Sequence, residues 1–301
     1  PVAHSFPTRR SSDLTSTMDE AKEYVRRAEK AGGDREAGET GEARETGKAG
    51  AASDSGGGPI ADGTSVLTLF QSSGRGRIAS RRWVSPPGKS ILATVVFSAD
   101  SVYGILPTAS IRVGLAISRY LEGRFDLDAS LKWPNDVLVG GRKISGVLCE
   151  LSRRHLFVGI GMNCLQESFE GSSGAGQGDG QGAGQGEEQG AGQADPAGRA
   201  HSVRTAGGMT SIRMETGAEL DPLREFSYLL KEIHRVFGES TDFAVGEAER
   251  RLYRRGRRVS IVEGHPEGGA VLEGVLEGLG TDGTLLLRTG EGELHRIVSG
   301  E

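Results

Sequence analysis

The sequence has little that would cross-link it or hold it in a membrane. Only two of its 301 residues are cysteine, Cys149 and Cys164, each in an apolar, β-prone run. That excludes a disulfide framework, marks both as core residues and fits a reducing, cytoplasmic setting. No apolar run approaches the roughly 20 residues of a membrane span, and no secretory signal pattern opens the chain. Excess basic charge is missing too: a net charge of −5 argues against a nucleic-acid-binding surface as the main business. The hydrophobic fraction is low at 36%, and 21 of the 48 glycines lie in two tracts, without which the composition is closer to that of an ordinary globular enzyme.

Those tracts are residues 32–63, made of Gly, Glu, Ala and Ser, and residues 166–200, with the run GAGQGDGQGAGQGEEQGAGQ. Neither can bury enough apolar surface to order itself, so both are expected to be disordered insertions. Residues 4–14, HSFPTRRSSDL, resemble the translation of a sequencing-adaptor oligonucleotide. Residues 1–14 are therefore set aside as non-native, and the natural N-terminus is expected to be missing. The remaining length divides into a domain over 15–254 and a small one over 255–301.

Within the larger domain, Ser65–Phe70, Ser90–Phe97, Lys143–Leu151 and Leu156–Asn163 read as strands. Thr17 and Glu20 make a capping box ahead of Ala21, Tyr24, Val25 and Ala28 at helical spacing. Pro107 opens a helix with the core stripe Ala109, Val113, Ala116, Ile117, Tyr120 and Leu121. Pro222 opens another, whose apolar face is Leu223, Phe226, Leu229, Leu230, Ile233 and Phe237; His234 lies off that stripe and reads as solvated. From Arg257 the pattern becomes four short strands with glycine turns, the mark of a small β-barrel.

The chemistry is concentrated in Leu131–Gly146, LKWPNDVLVGGRKISG. Gly140-Gly141 between two β-prone runs predicts a tight hairpin pairing Val139 with Arg142, Leu138 with Lys143, Val137 with Ile144 and Asp136 with Ser145. Side-chain alternation then puts Lys143, Asp136 and Ser145 on one face. Taken alone, that is a solvated surface ion pair. Upstream, Gln71 precedes Gly74-Arg75-Gly76-Arg77, where glycines free backbone amides and arginines supply charge for an anion.

Together the motifs resemble biotin protein ligases. Lys132-Trp133-Pro134-Asn135-Asp136, with Lys143 seven residues beyond its Asp, matches the family signature; GRGR followed by Trp83 and Ser85-Pro86-Pro87-Gly88 matches its adenylate loop. Gly159-x-Gly161-x-Asn163 and the C-terminal strands follow in family order. The resemblance implies an α+β fold of the class II aminoacyl-tRNA-synthetase and biotin-ligase type: a mixed sheet with helices plus an SH3-like barrel. It implies biotin and ATP as substrates, Mg²⁺, and a biotin carboxyl carrier protein as partner, with a homodimer as a further option and no nucleic acid. By that resemblance Ser16, Thr17, Gln71, Arg75, Gly76, Arg77 and Lys143 bind biotin. Arg77, Arg81, Trp83, Lys132, Asn135, Asp136 and Asn163 bind ATP, and Asp136 also holds the metal. Lys143, Arg77 and Arg75 are the catalytic cations. Two departures stand out: Met18 follows Ser16-Thr17 where the family has Asn, and GRGRIASRRW is one residue longer, without a second glycine. The alternatives are a lipoate or octanoate transferase of the same fold and a biotin-sensing repressor.

Overall fold

The computed structural model describes residues 8–11, 13–36, 60–78, 82–169, 208–264 and 268–300. In chain order the strands are β1 (Thr8–Ser11), β2 (Thr64–Thr68), β3 (Gly74–Arg75), β4 (Arg82–Trp83), β5 (Ser90–Ser98), β6 (Ala129–Lys132), β7 (Asp136–Val139), β8 (Arg142–Ser152), β9 (His155–Asn163), β10 (Arg258–Val262), β11 (Val271–Leu279), β12 (Leu285–Thr289) and β13 (Leu294–Ile297). The helices are α1 (Thr17–Glu36), α2 (Ala109–Phe125), α3 (Ile212–Thr216), α4 (Pro222–Phe237) and α5 (Thr241–Arg250). Seven strands form one sheet in the order β1-β2-β5-β9-β8-β7-β6, mixed because β1 runs parallel to β2 while the other neighbours are antiparallel. The edge strand β1 comes from the segment set aside in the sequence, and it pairs with β2 from Thr8–Ser65 to Ser11–Thr68.

The strands of the sheet centre alternate sides, and each side meets a helix layer. Ile91, Ala93, Val95 and Phe97 of β5 join the large core beneath α2 and α4, with Val113, Ala116, Ile117, Leu121, Leu229 and Ile233. Val96 faces the other way, with Val66, Phe157 and the α1 residues Met18, Ala21 and Val25. The helix read from Pro107 begins two residues later as α2, because Pro107 sits inside a 3₁₀ turn at Tyr103–Thr108. The α4 reading holds: Asp221 caps it through Leu223 N–H, Pro222 occupies its first turn, and Gly238 follows it. His234 is half-buried rather than solvated, its ring 5.5 Å from that of Phe97.

Strands β10 to β13 form a second, antiparallel sheet in sequence order, and a Glu263–Gly300 bridge brings its first and last strands together. Leu276, Leu279, Leu285, Leu287 and Ile297 of this sheet are continuous with the main core. Cys164 is fully buried in that core, and burial pushes its thiol up to about 12. Among the described residues no helix is long and apolar enough to cross a membrane.

Candidate functional site

Helix α1 covers only part of its side of the sheet. The part left open is a cavity of about 220 Å³, walled by the start of α1, the β3–β4 segment, the Lys132–Asp136 turn and the facing surface of β8 and β9. Its polar end is made by three segments. Leu14 bridges Gln71 and Ser73 N–H donates to Thr15 O, which sets Ser16 and Thr17 beside Gln71. Gln71 Oε1 accepts from Thr17 N–H at 2.8 Å and from Thr17 Oγ1 at 3.2 Å, and Thr94 Oγ1 donates to Thr17 Oγ1 at 3.0 Å. This buried hydroxyl and amide cluster offers donors and acceptors to a polar ring. Thr94 went unread in the sequence because it lies mid-strand in an apolar run.

Lys143 and Asp136 meet at the opposite wall, though not through the register expected. Val139 does pair with Arg142 and Leu138 with Lys143, but a bulge follows, so Val137 pairs with Ser145 and Asp136 with Gly146. The expected Val137–Ile144 and Asp136–Ser145 pairs are absent. The physical consequence is decisive. Ile144 is an extra residue pointing into the core, as Val147 does, which rotates Lys143 onto the side of Gly146 and Leu148, the cavity side. Without the bulge, Lys143 would alternate with Ser145 and Val147 toward the interior. Ser145 does not share the face of Lys143: it is fully buried, donating to Gly161 O at 2.8 Å. Lys143 Nζ lies 2.7 Å from Asp136 Oδ1 and 5.7 Å from the centroid of the Trp83 ring.

The floor between these two ends is glycine. A Cβ on Gly161 would lie 2.5 Å from Trp83 Cε2, and one on Gly146 3.2 Å from Trp83 Cζ3, so the indole rests directly on the sheet. Gly161→Ala is therefore expected to cost about 1–3 kcal/mol through overpacking. Gly159→Ala should cost clearly less, since its Cβ would first meet the mobile Met18 Cε at 3.0 Å. Thermal unfolding of the two variants is the check, and equal losses would contradict a fixed indole seat. Met18, standing where the resemblance expects Asn, thus packs its thioether tip against the sheet in the cavity wall.

The remaining residues divide. Arg75 and Arg77 line the cavity but are held at its rim, Arg75 by Asp19 at 2.5 Å and Arg77 by Gly300 O at 2.8 Å. Gly76 and Lys132 also line it, and Lys132 has no ion-pair partner among the described residues. Asn135 is at the wall, tied to β8 through Nδ2 to Val147 O at 3.0 Å. Trp133 joins the turn to the second sheet, its indole N–H donating to Gly283 O at 3.0 Å. Asn163 is not part of the lining; it is buried at the end of β9, with Nδ2 on Thr210 O. Arg81 lies outside the described residues. Arg82 and Met209 belong to the wall unread, the latter carried there by a bridge to Lys143 after the long glycine tract.

The site is thus a mixed sheet with one open side, a cationic loop and a lysine–carboxylate pair over a glycine floor. The model of the Biotin/lipoate A/B protein ligase family matches residues 59–166. The bifunctional ligase/repressor BirA of Bacillus spizizenii is 32% identical over 112 residues, 36% of this chain and 34% of that protein. That alignment spans about a third of the relative. The biotin–[acetyl-CoA-carboxylase] ligase of Paracoccus denitrificans is 28% identical over 74% of this chain and 83% of its own length. Among solved structures, the biotin protein ligase from Aquifex aeolicus in complex with biotin and ATP superposes with a TM-score of 0.67 at 23% identity, covering 98% of this chain and 97% of that one. The fold is thus that of the biotin protein ligases, as the motifs implied.

Proposed function

We propose that this protein is a cytoplasmic biotin protein ligase. Biotin's carboxylate attacks the α-phosphate of ATP, forming biotinyl-5′-AMP and releasing pyrophosphate. The amine of a lysine on a biotin carboxyl carrier protein then attacks the mixed anhydride, forming the amide and releasing AMP. The observation that carries this reading is the pair Lys143 and Asp136 aimed by a bulged hairpin into a cavity whose other end is the Ser16, Thr17 and Gln71 cluster. One end suits a neutral polar ring, the other a reaction between two anions. Such a meeting needs fixed cations, and Lys143, Lys132, Arg75 and Arg77 are at the wall or rim to supply them.

Mg²⁺ fits this donor set in its usual manner, through one carboxylate and the nucleotide phosphates. Asp136 is the acidic residue of the wall among the described residues, and its Oδ1 lies 2.7 Å from Lys143 Nζ. Asp136 would hold the ion, which offsets phosphate charge when bound. Asp136 also fixes the ammonium of Lys143, so one carboxylate would serve both the lysine and the ion.

The family model covers lipoate as well as biotin chemistry, and substrate choice is the direct test. ATP–pyrophosphate exchange, with Mg²⁺, should depend on biotin and stay at background with lipoate or octanoate. Exchange driven by lipoate and not by biotin would overturn the assignment.

A further inference from the structure

Two rows of residues cross the sheet beneath the cavity. In the first, Thr94 of β5 pairs with Gly159 of β9, which pairs with Leu148 of β8. In the second, Gly161 pairs with Gly146, and Gly146 with Asp136. Residues two apart on a strand point to the same face, so the rows lie about 6.6 Å apart along it. The second row leads to Asp136 and Lys143, where the carboxylate reacts. The first row lies under the start of α1 and receives the head of the substrate.

That first row is polar at one end and apolar at the other. At Thr94 the hydroxyl donates to Thr17 Oγ1 at 3.0 Å, and Thr17 in turn is bonded to Gln71. At the other end Leu148 presents hydrocarbon to the cavity. Gly159 leaves the middle bare, and Met18 covers it: a Cβ on Gly159 would lie 3.0 Å from Met18 Cε. Met18 lines the cavity with a relative exposure of 3%, and it otherwise belongs to the small core of Ala21, Val25, Val66 and Val96. An amide in its place would be buried among side chains that offer no donor or acceptor. The thioether of Met18 therefore stands where the polar half of the row meets the apolar half.

We propose that Met18 is a specificity-determining residue, the side chain by which the site distinguishes a fused urea–thioether bicycle from a urea ring alone. The inference rests on the ligase reading and deepens it. Biotin's urea edge carries N–H and C=O groups that suit the Thr17, Gln71 and Thr94 end, whereas its thiolane edge carries none and belongs against hydrocarbon. A flexible, polarisable thioether fits that edge closely. Desthiobiotin keeps the urea but lacks the sulfur that closes the second ring, so it leaves the Met18 side underfilled. Lipoate has no urea and leaves the polar end unpaired. Underfilling an apolar pocket costs about 10- to 200-fold, while an unpaired buried polar group costs about 10⁴- to 10⁵-fold. Met18 governs the first discrimination and leaves the second to the polar cluster.

The test is isothermal titration of the full chain with biotin and with desthiobiotin, without ATP. The unmutated protein should bind biotin about 10- to 200-fold more tightly than desthiobiotin. Met18→Ala should weaken biotin by about 10-fold and desthiobiotin by less than about twofold, so that the ratio falls. Met18→Leu keeps most of the volume but lacks the reach of the terminal methyl. It should unfold at the temperature of the unmutated protein and show the same fall in smaller measure. In biotin-dependent pyrophosphate exchange, Met18→Ala should raise the KM for biotin with kcat within about twofold, because the ring contact is the same before and during reaction. Equal weakening of both ligands, or an unchanged ratio in folded Met18→Leu and Met18→Ala, would make Met18 a packing residue only and overturn the inference. A lowered kcat at unchanged KM would overturn it as well. Absence of biotin binding by the unmutated protein would refute the ligase reading itself, whereas biotin binding with an unchanged ratio refutes only the role of Met18.

Discussion

Lys143→Ala is expected to slow biotin-dependent pyrophosphate exchange by about 10²–10³-fold, equivalent to roughly 2.7–4 kcal/mol of transition-state stabilisation. The bulge after Lys143 turns its side chain to the cavity, where Asp136 fixes the ammonium at 2.7 Å and the Trp83 ring lies beneath it at 5.7 Å. In the proposed reaction negative charge concentrates on the α-phosphate as the carboxylate bonds to it, and a preplaced cation acts mainly at that moment. The fold should survive the change. The Lys143 side chain is 33% exposed, so its ion pair is screened and contributes under about 1 kcal/mol to stability. Lys143→Arg should rescue poorly, since a planar fork cannot sit where a compact ammonium does. Near-normal exchange by a well-folded Lys143→Ala protein would leave Arg75, Arg77 and Lys132 as the agents.

What made this site legible was covalent proximity. Lys132 to Lys143 is one short stretch with a glycine turn, and alternation within it is a local property, so Lys143 and Asp136 could be paired on paper. The bulge could not, because it depends on Ile144 finding core space, a property of α2 and the sheet rather than of the hairpin. The glycine floor was equally hidden: Gly161 reads as a weak strand until Trp83, from a distant loop, is seen resting on it. Asn163 was legible only in part. Its motif suggested a nucleotide contact, while its surroundings were supplied by Thr210 and Gln166, on either side of the long glycine tract. Helix α5 was missed because its buried residues, Ala244, Val245 and Ala248, are too small to stand out as an apolar stripe.

Arg112 is the position at which substitution should damage stability most. It lies on α2 with a relative exposure of 0%, and no carboxylate pairs with it directly. Its guanidinium donates to Thr108 Oγ1 at 3.0 Å, to Val236 O at 2.7 Å, to Glu239 O at 3.1 Å and to Thr241 Oγ1 at 3.0 Å. Val236 lies in the last turn of α4 and Glu239 two residues past its end, where the helix dipole favours a cation; Thr241 begins α5. Burial pulls the guanidinium pKa down, and the charge of Glu239 offsets part of that. A single side chain therefore joins α2, α4 and α5. The last of these leads to Arg251, whose carbonyl accepts from Leu131 N–H beside Lys132, so the clamp also supports one wall of the site. Replacing a buried ion pair with apolar residues is often neutral because both partners change together. Here two of the four acceptors are backbone carbonyls that no substitution removes, so Arg112→Met would strip Glu239 O of this donor and leave Val236 O with Glu239 N–H at 3.2 Å. The expected loss is about 3–5 kcal/mol, against about 1–3 for Arg112→Lys, which keeps one donor centre but not the fork. Denaturant midpoints at an unchanged m-value measure both. A loss below about 1 kcal/mol for Arg112→Met would mean that water or rearranged carbonyls replace the guanidinium, and that the three helices are held by their apolar faces alone.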